Sequence, residues 1–599
     1  MSLLDRIRRE WALLSGFART LWAYRGLGRE SLWTAPDDLE RSVDRFAERP
    51  AFRFEGETLT YAEFDALANR VAHWARAEGL KRGEVVALLM HNRPLYLAVW
   101  MGLAKVGCVA ALLNTGIVNA QLAHCIAISG ARRLILEPDL ASAYAGAAAL
   151  LQEKPALWAS GGAVAGAADF DAALAALSPA RIPRTEARGG LTGGDLCLLV
   201  FTSGTTGAPK AARMPHWRVQ NMLRAFIGAA APTAEDRNYV ALPLYHSTGG
   251  LTAIGLMLER GGCVILAAHF SARQFWSDIR AEGATMFFYV GEMCRYLLNQ
   301  PGDPRDSAHK VRLIIGNGLR PDIWRRFQQR FAIPKIVEFY GSTEGNVQMA
   351  NLDNHVGAVG RYPDYLRALV NVRVIKFDVE KEEPIRGSDG FCIEAAPDEA
   401  GEAIGEIKTN RARYGFEGYT GDPVQTAKKI LRDAFAKGDA WFRTGDLMRR
   451  GKDGYFYFVD RLGDTFRWRG ENVSAGEVAE ILTGYPGVKE AIVYGVHVGG
   501  MEGRAGMAAI TPGPDFALDA LHDYATRTLA PFARPLFLRI RPEMETTGTF
   551  KYRKGDLVAD GFDPDKTADP IYFDDPESGG YVRVTPEVRA RIEAGGYRI

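Results

Sequence analysis

The chain has 599 residues, 47% of them hydrophobic and 24% charged, ordinary globular values that exclude wholesale disorder and fibrous architecture. Lysine and arginine number 73 against 72 aspartate and glutamate, a net charge of +1, so no global field draws the molecule to nucleic acid. At roughly 150 residues per domain the length suggests about four units. Cys108, Cys125, Cys197, Cys263, Cys294 and Cys392 are scattered, mostly in apolar runs, with no C-x-x-C pair. That is the pattern of buried, reduced thiols in a cytosolic protein, and neither a disulfide framework nor a zinc site.

At the N-terminus Leu4, Ile7, Trp11, Leu14, Ala18 and Leu21 recur every three or four residues, with Arg6, Arg8, Arg9 and Arg19 mostly off that stripe. Residues 1–35 therefore read as a basic amphipathic helix. Its stripe would pack on the protein's own core or on a second copy in a homodimer, or lie on an anionic membrane through residues 3–24. Arg8-Arg9 ahead of Trp11 and Leu13-Leu14 faintly resembles a twin-arginine export signal, but Arg19 interrupts the apolar stretch and no small-residue cleavage site follows. No run reaches the ~18 uninterrupted apolar residues of a spanning helix. The longest candidate, Val85 to Leu113, is broken by His91, Asn92, Arg93 and Lys105. The expected location is the cytoplasm, with the inner face of the cell membrane as the peripheral alternative.

From Pro36 to Leu136 helical and strand-like patterns alternate. Thr60-Tyr61-Ala62-Glu63 starts a helix carrying Leu67, Val71 and Trp74. Val85 to Leu89 reads as a buried strand, and Leu95, Val99, Leu103 and Val106 mark the helix after it. Such alternation predicts α/β layers with a largely parallel sheet. Ala141 to Ala187 is alanine-rich with few anchors and reads as a weakly specified surface excursion. Three apolar runs then end in small, polar, glycine-containing turns. Leu196 to Phe201 runs into Thr202-Ser203-Gly204-Thr205-Thr206-Gly207, Val311 to Ile315 into Gly316-Asn317-Gly318, and Ile336 to Phe339 into Tyr340-Gly341-Ser342-Thr343-Glu344-Gly345. Ligands of open α/β sheets sit beyond the carboxyl ends of strands, so three such turns point to one site. Past Asp460 the elements become short and charged, and a smaller α+β domain is expected from about Gly463.

The turn from Thr202 to Lys210 combines glycines, exposed N–H groups, a row of hydroxyls and one terminal cation, the parts needed to hold a polyphosphate. It is not a Walker A sequence, because the glycine-lysine-hydroxyl ending is absent. Nor is it a nucleophile elbow, since Phe201 stands where Ser203 would need a glycine.

The same turn resembles the phosphate-binding signature of the adenylate-forming superfamily, which includes acyl-CoA synthetases, luciferases and peptide-synthetase adenylation domains. Tyr340 to Glu344 resembles its second signature, Thr444-Gly445-Asp446 its third, and Asp460-Arg461-Leu462-Gly463-Asp464 its hinge. Gly454 to Asp460, Phe466 to Ser474 and Thr547 to Lys554 are similar to the narrower fatty-acid transport protein / very-long-chain acyl-CoA synthetase branch. The resemblance implies a large adenylating body over 36–462 and a small mobile α+β lid over 463–599. It implies ATP, a magnesium ion and CoA, with a fatty acid as the second substrate.

For the site, the resemblance implies Thr202, Ser203, Gly204, Thr206, Gly207 and Lys210 around the phosphates, with Thr205 in the catalytic set. Glu344 is the implied magnesium ligand and a member of the catalytic set, and Gly341, Ser342 and Thr343 belong to the implied nucleotide-binding residues. Tyr340 would stack on adenine while Gly316, Asn317 and Gly318 approach its edge. Asp446 would hold the ribose with help from Arg461. Lys551 is the implied adenylation lysine, although Phe550 stands where the wider superfamily has glycine, a departure the transport-protein branch shares. Gly463 would serve as pivot, bringing Arg467 to Gly470 round to form the channel for CoA. His246 would orient the carboxylate or gate the acyl pocket, or else be a structural histidine of an apolar loop. The small residues Gly249, Gly250, Ala253 and Gly255 suit either a tunnel wall or tight packing.

Overall fold

The computed structural model describes residues 3–202, 209–379, 381–408, 415–420, 422–462, 465–468, 471–499, 501, 503–545 and 554–597. The chain forms two compact units. The larger comprises Met1–Arg361 and Glu406–Ile430, the smaller Tyr362–Gly405 and Leu431–Ile599.

The larger unit carries two mixed sheets. In the seven-stranded one the order is Ala168–Asp169, Ala156–Ala159, Arg133–Leu136, Val85–Leu89, Val109–Leu112, Leu196–Thr202, Lys210–Pro215. Val85–Leu89, Val109–Leu112 and Leu196–Thr202 lie side by side in parallel, with Ala110 opposite Leu198. Their apolar runs follow from coverage on both faces, which removes the polar-apolar alternation of a one-sided sheet. Ahead of them, Thr60 and Glu63 close a reciprocal capping box at the start of the helix Tyr61–Ala77, with Oγ1 accepting from Glu63 N at 3.2 Å. The alanine-rich region is more ordered than its composition indicated. It supplies the strands Ala156–Ala159 and Ala168–Asp169 to the sheet edge, and its Trp158 and Phe170 pack edge-on against Trp74. Two short strands separated by a glycine turn are below the length at which periodicity can be read.

The eight-stranded sheet runs Gln348–Asn351, Ile336–Gly341, Leu313–Asn317, Met286–Val290, Arg237–Val240, Cys263–Leu266, Pro50–Phe54, Glu57–Thr60. Buried Asn92, at the end of the chain leaving Val85–Leu89, links the two sheets. Its Nδ2 donates to Leu242 O at 3.0 Å and Ala267 O at 3.1 Å, and its Oδ1 accepts from Leu244 N at 2.9 Å. The helix Leu3–Ala23 lies on this unit, and the six cysteines are all buried and unpaired with one another. Among the described residues no helix is long and apolar enough to cross a membrane.

The smaller unit is α+β. Val372–Ile375, Ala400–Glu406, Ala440–Arg450 and Tyr455–Arg461 are successive neighbours in one sheet. A second, five-stranded sheet contains Val488–Val496, Ala505–Pro512, Phe537–Ile540, Ile571–Asp575 and Gly580–Arg583. The helices Ala475–Thr483 and Leu518–Thr528 contribute Val478, Leu482, Leu521 and Ala525 to its core. The expected architecture of a larger N-terminal body and a smaller C-terminal α+β part is present.

Candidate active site

Two of the three strand-end turns stand side by side. Leu313–Asn317 and Ile336–Gly341 pair in parallel, Ile315 opposite Val337, so Gly316 to Gly318 and Tyr340 to Gly345 leave adjacent strands at the same end. Gly316 is pressed against the next strand, where a Cβ would sit 2.2 Å from Tyr289 O. Gly318 turns the chain with φ +80°. Beneath both turns lies Glu338, 2% exposed, a residue the sequence did not single out. Its carboxyl accepts from Leu319 N at 3.1 Å and from the Tyr289 hydroxyl, tying the Gly316–Gly318 turn to the strand that carries Tyr340. Burial pushes its pKa up to about 8, against the hydrogen bonds that favour its ionised form.

The turn bearing Glu344 is anchored from below. Arg218, fully buried on the helix His216–Arg224, donates through Nε and Nη2 to Thr343 O at 2.8 and 2.6 Å, and also to Gly345 O. Burial lowers its pKa to about 10, opposed by the charges of Glu344 and Glu417. Ser342 Oγ accepts from Gly345 N at 3.0 Å, which closes the turn. Glu344 itself is half-buried, and its Oε1 accepts from the Tyr419 hydroxyl at 2.9 Å. Burial, reinforced by the Glu344 carboxylate, pushes the Tyr419 phenol well above its ordinary pKa.

Tyr419 also connects Glu344 to the third turn. The strands Leu196–Thr202 and Lys210–Pro215 form a hairpin in which Thr202 faces Lys210. Lys210 Nζ lies 5.3 Å from the Tyr419 ring centre and donates to Gln425 Oε1 at 3.1 Å. Tyr419 is held on this hairpin by a bridge to Ala212 and by Thr420 N donating to Ala211 O at 3.0 Å. A carboxylate, a phenol and an ammonium are thus assembled beside the hairpin that joins Thr202 to Lys210.

His246 reaches the same turn through its neighbour. Ser247 and Thr343 hydroxyls lie 3.0 Å apart in a buried contact, and His246 is half-buried beside the Tyr245 ring at 5.9 Å between centres. The following residues Thr248–Ala253 form a π-helix, a wide turn often found at functional sites. The glycines here serve packing: a Cβ on Gly250, within that turn, would lie 2.0 Å from Leu244 O, and one on Gly255, in the helix Ile254–Leu258 that follows, 2.4 Å from Leu223 O.

In the smaller unit, Asp446 and Arg461 face each other across the pair Ala440–Arg450 and Tyr455–Arg461, with Arg461 Nε 3.8 Å from Asp446 Oδ1. Asp460 is buried and structural. Its carboxylate accepts from Arg461 N, Ser474 Oγ and Gly476 N at 2.9, 3.0 and 3.1 Å, fixing the start of the helix Ala475–Thr483. Arg467 is half-buried on the strand Thr465–Trp468, its carbonyl accepting from Arg504 N at 2.7 Å. Ser203, Gly204, Thr205, Thr206, Gly207, Gly463, Gly470 and Lys551 lie outside the described residues.

Residues 39–402 match the family described as AMP-binding enzyme, and residues 477–551 match the AMP-binding enzyme C-terminal domain. Long-chain fatty acid transport protein 6 of Homo sapiens is 40% identical over 577 residues, spanning 95% of this chain and 92% of that protein. The chain belongs to the AMP-binding enzyme family, among the long-chain fatty acid transport proteins. Another of these relatives, long-chain fatty acid transport protein 1 of Mus musculus, is 41% identical over 91% of this chain and 84% of its own length. This AMP-binding enzyme also shares its fold with solved structures. An anthranilate CoA ligase in complex with anthranoyl-AMP superposes with a TM-score of 0.74 at 20% identity, covering 90% of this chain and 98% of that one. ATP-bound MatB from Rhodopseudomonas palustris superposes at 0.72 and 23% identity, over 88% and 98%.

Proposed function

We propose that the protein is an ATP-dependent long-chain or very-long-chain fatty acyl-CoA synthetase that works through an acyl adenylate. The observation carrying this reading is the Glu344 cluster: a strand-end carboxylate held by Tyr419, based on buried Arg218 and linked to Lys210. Its setting, an AMP-binding enzyme whose relatives are named for long-chain fatty acids, supports the substrate class.

In the first half-reaction a carboxylate oxygen bonds to the α-phosphorus of ATP as the bond to pyrophosphate breaks. In the second, the CoA sulfur bonds to the acyl carbon, its proton is released and AMP leaves. Attack of one anion on another makes positioning and charge neutralisation the main tasks. We assign the phosphates to Thr202, Ser203, Gly204, Thr206, Gly207 and Lys210, with Thr205 beside the reacting phosphate. Tyr340 and Gly316-Asn317-Gly318 receive the base, Asp446 and Arg461 the ribose. Lys551 bridges the attacking carboxylate and the α-phosphate, and His246 positions that carboxylate. The donor chemistry of Glu344 fits magnesium, a hard cation that takes carboxylate oxygens, and its fixed Oε1 orients the group toward one side. A magnesium ion held there would supply positive charge to the phosphates. A lid over 463–599, turning about Gly463, then withdraws Lys551 and presents Arg467 and Gly470 to CoA.

Pyrophosphate release across carboxylic acids of increasing length, with and without CoA, tests the reading. Long-chain acids should release pyrophosphate, and AMP and thioester should accumulate only with CoA. No acid-dependent pyrophosphate release would overturn it, and acyl transfer to a carrier protein or preference for a sterol-derived acid would redirect it. The transport names of the relatives favour a second reading, fatty-acid uptake as the main task. Retained import by a Lys551→Ala variant that makes no acyl-CoA would support that reading. We place the protein in the cytoplasm, peripheral to the inner face of the cell membrane.

A further inference from the structure

The N-terminal helix Leu3–Ala23 has two faces with opposite surroundings. One is fastened to the larger unit. Leu13 and Ala23 are buried, Arg19 donates through Nε and Nη2 to Gly228 O at 3.1 and 3.0 Å, and Ala23 O accepts from Arg224 at 2.9 Å. Arg361 pairs with Glu10 on the same helix. A Cβ on Gly228 would lie 2.0 Å from Thr20 Oγ1 and 2.3 Å from Gly16 O, so the helix rests almost backbone to backbone on its support. The apolar stripe visible in the sequence is on the other face. Leu4, Ile7, Trp11, Leu14, Leu21 and Trp22 are all exposed, Trp11 at 73% and Trp22 at 67%.

Large apolar groups aligned along one exposed helix mark an interaction surface, and here their chemistry selects the partner. Residues 1–29 hold six arginines against two acidic residues, Asp5 and Glu10. Arg6, Arg8 and Arg25 are exposed on the helix and just beyond it. We propose that this helix is an in-plane anchor that docks the protein on an anionic lipid bilayer, with the six apolar side chains in the acyl-chain boundary and the arginines at the lipid phosphates. Leucine and tryptophan on one side with arginines around them are the composition of a helix lying in the membrane interface. A second copy of the chain is the weaker occupant. A self-complementary contact between two copies would bring the same arginine-rich helix against itself, so like charges meet, whereas anionic lipid phosphates neutralise them. Because the opposite face is fixed by hydrogen bonds, the anchor also sets which side of the larger unit faces the bilayer. The inference rests on the peripheral placement proposed above, and its test reads lipid binding separately from chemistry.

The full chain would be floated with vesicles of equal parts phosphatidylcholine and phosphatidylglycerol, and with pure phosphatidylcholine. Binding is expected to the mixed vesicles and to be much weaker to the neutral ones. Trp11→Glu combined with Trp22→Glu should lower the bound fraction about tenfold or more, since both side chains leave the hydrocarbon boundary. Arg6→Glu with Arg8→Glu should remove the preference for phosphatidylglycerol. Both double variants, altered only at exposed positions, should keep the wild-type melting temperature and pyrophosphate release with a soluble acid. Equal binding by wild type and the tryptophan variant, or no binding by wild type, would overturn the proposal. So would a wild-type dimer in solution that the tryptophan variant converts to monomer, which would assign the face to a second copy.

Discussion

Tyr419 gives Glu344 a fixed direction by donating to Oε1, and the same ring lies under the Lys210 ammonium. Tyr419→Phe keeps the ring and removes the donor. A hydrogen bond to a charged, half-buried group is worth about 1–2 kcal/mol, which predicts a roughly five- to thirtyfold higher magnesium-ATP requirement with little change in KM for the fatty acid. Unchanged magnesium dependence in steady-state kinetics would count against both residues. Glu338 makes a different prediction. Its pKa is raised to about 8 from the ordinary 4.5, so the folded protein keeps a proton that the unfolded chain has lost. The stability this supplies is fully present below about pH 4.5 and is lost as pH rises through 8. Glu338→Gln, permanently neutral, should flatten the fall of melting temperature between those limits, measured by calorimetry across pH. Of these residues the sequence exposed Glu344 and Lys210, because a carboxylate between Thr343 and Gly345 at a strand end and a cation closing a hydroxyl-rich turn are conspicuous locally. Arg218, Glu338 and Tyr419 act on partners 125, 19 to 49 and 75 positions away, and nothing in their own neighbourhoods announces those partners.

Elements were legible where burial imposes a pattern. Leu196–Thr202, Leu313–Asn317 and Ile336–Gly341 read as strands because parallel strands covered on both faces need apolar residues throughout. The capping box at Thr60 located its helix to the residue. The N-terminal helix was also legible as a helix, but its orientation was not. Periodicity found the Leu4–Leu21 stripe, whereas the fastened face carries one large apolar residue, Leu13, beside Gly16, Thr20 and Ala23, small groups that a hydrophobicity count passes over. The π-helix Thr248–Ala253 was equally hidden, since its glycines fit a tunnel wall and close packing alike. Gly250→Ala distinguishes them at the level of stability. The added methyl meets the rigid Leu244 carbonyl, so a loss of about 1–3 kcal/mol is expected in denaturant unfolding. An unaltered midpoint would mean the segment has room to spare.

At the scale of the whole molecule, the proposed mechanism asks two half-reactions of one chain. Lys551→Ala should abolish acid-dependent pyrophosphate release while largely sparing thioester formation from preformed acyl adenylate. Equal loss of both would contradict alternation of the lid. The division into compact units was less legible than the motifs, because residues 406–430 return to the larger unit after 362–405 have joined the smaller one. A contiguous reading of domains has no signal for such a return, which is made by contacts between residues far apart in sequence.

That return has a consequence for biosynthesis. The strands that carry Tyr340 and Thr202 are translated well before Tyr419, yet Tyr419 is the residue that gives Glu344 its orientation and lies beside Lys210. A nascent polypeptide emerging from the ribosome therefore carries Glu344 without its phenol donor until the 406–430 stretch has cleared the exit tunnel, so this corner of the larger unit is completed well after the strands on which it stands.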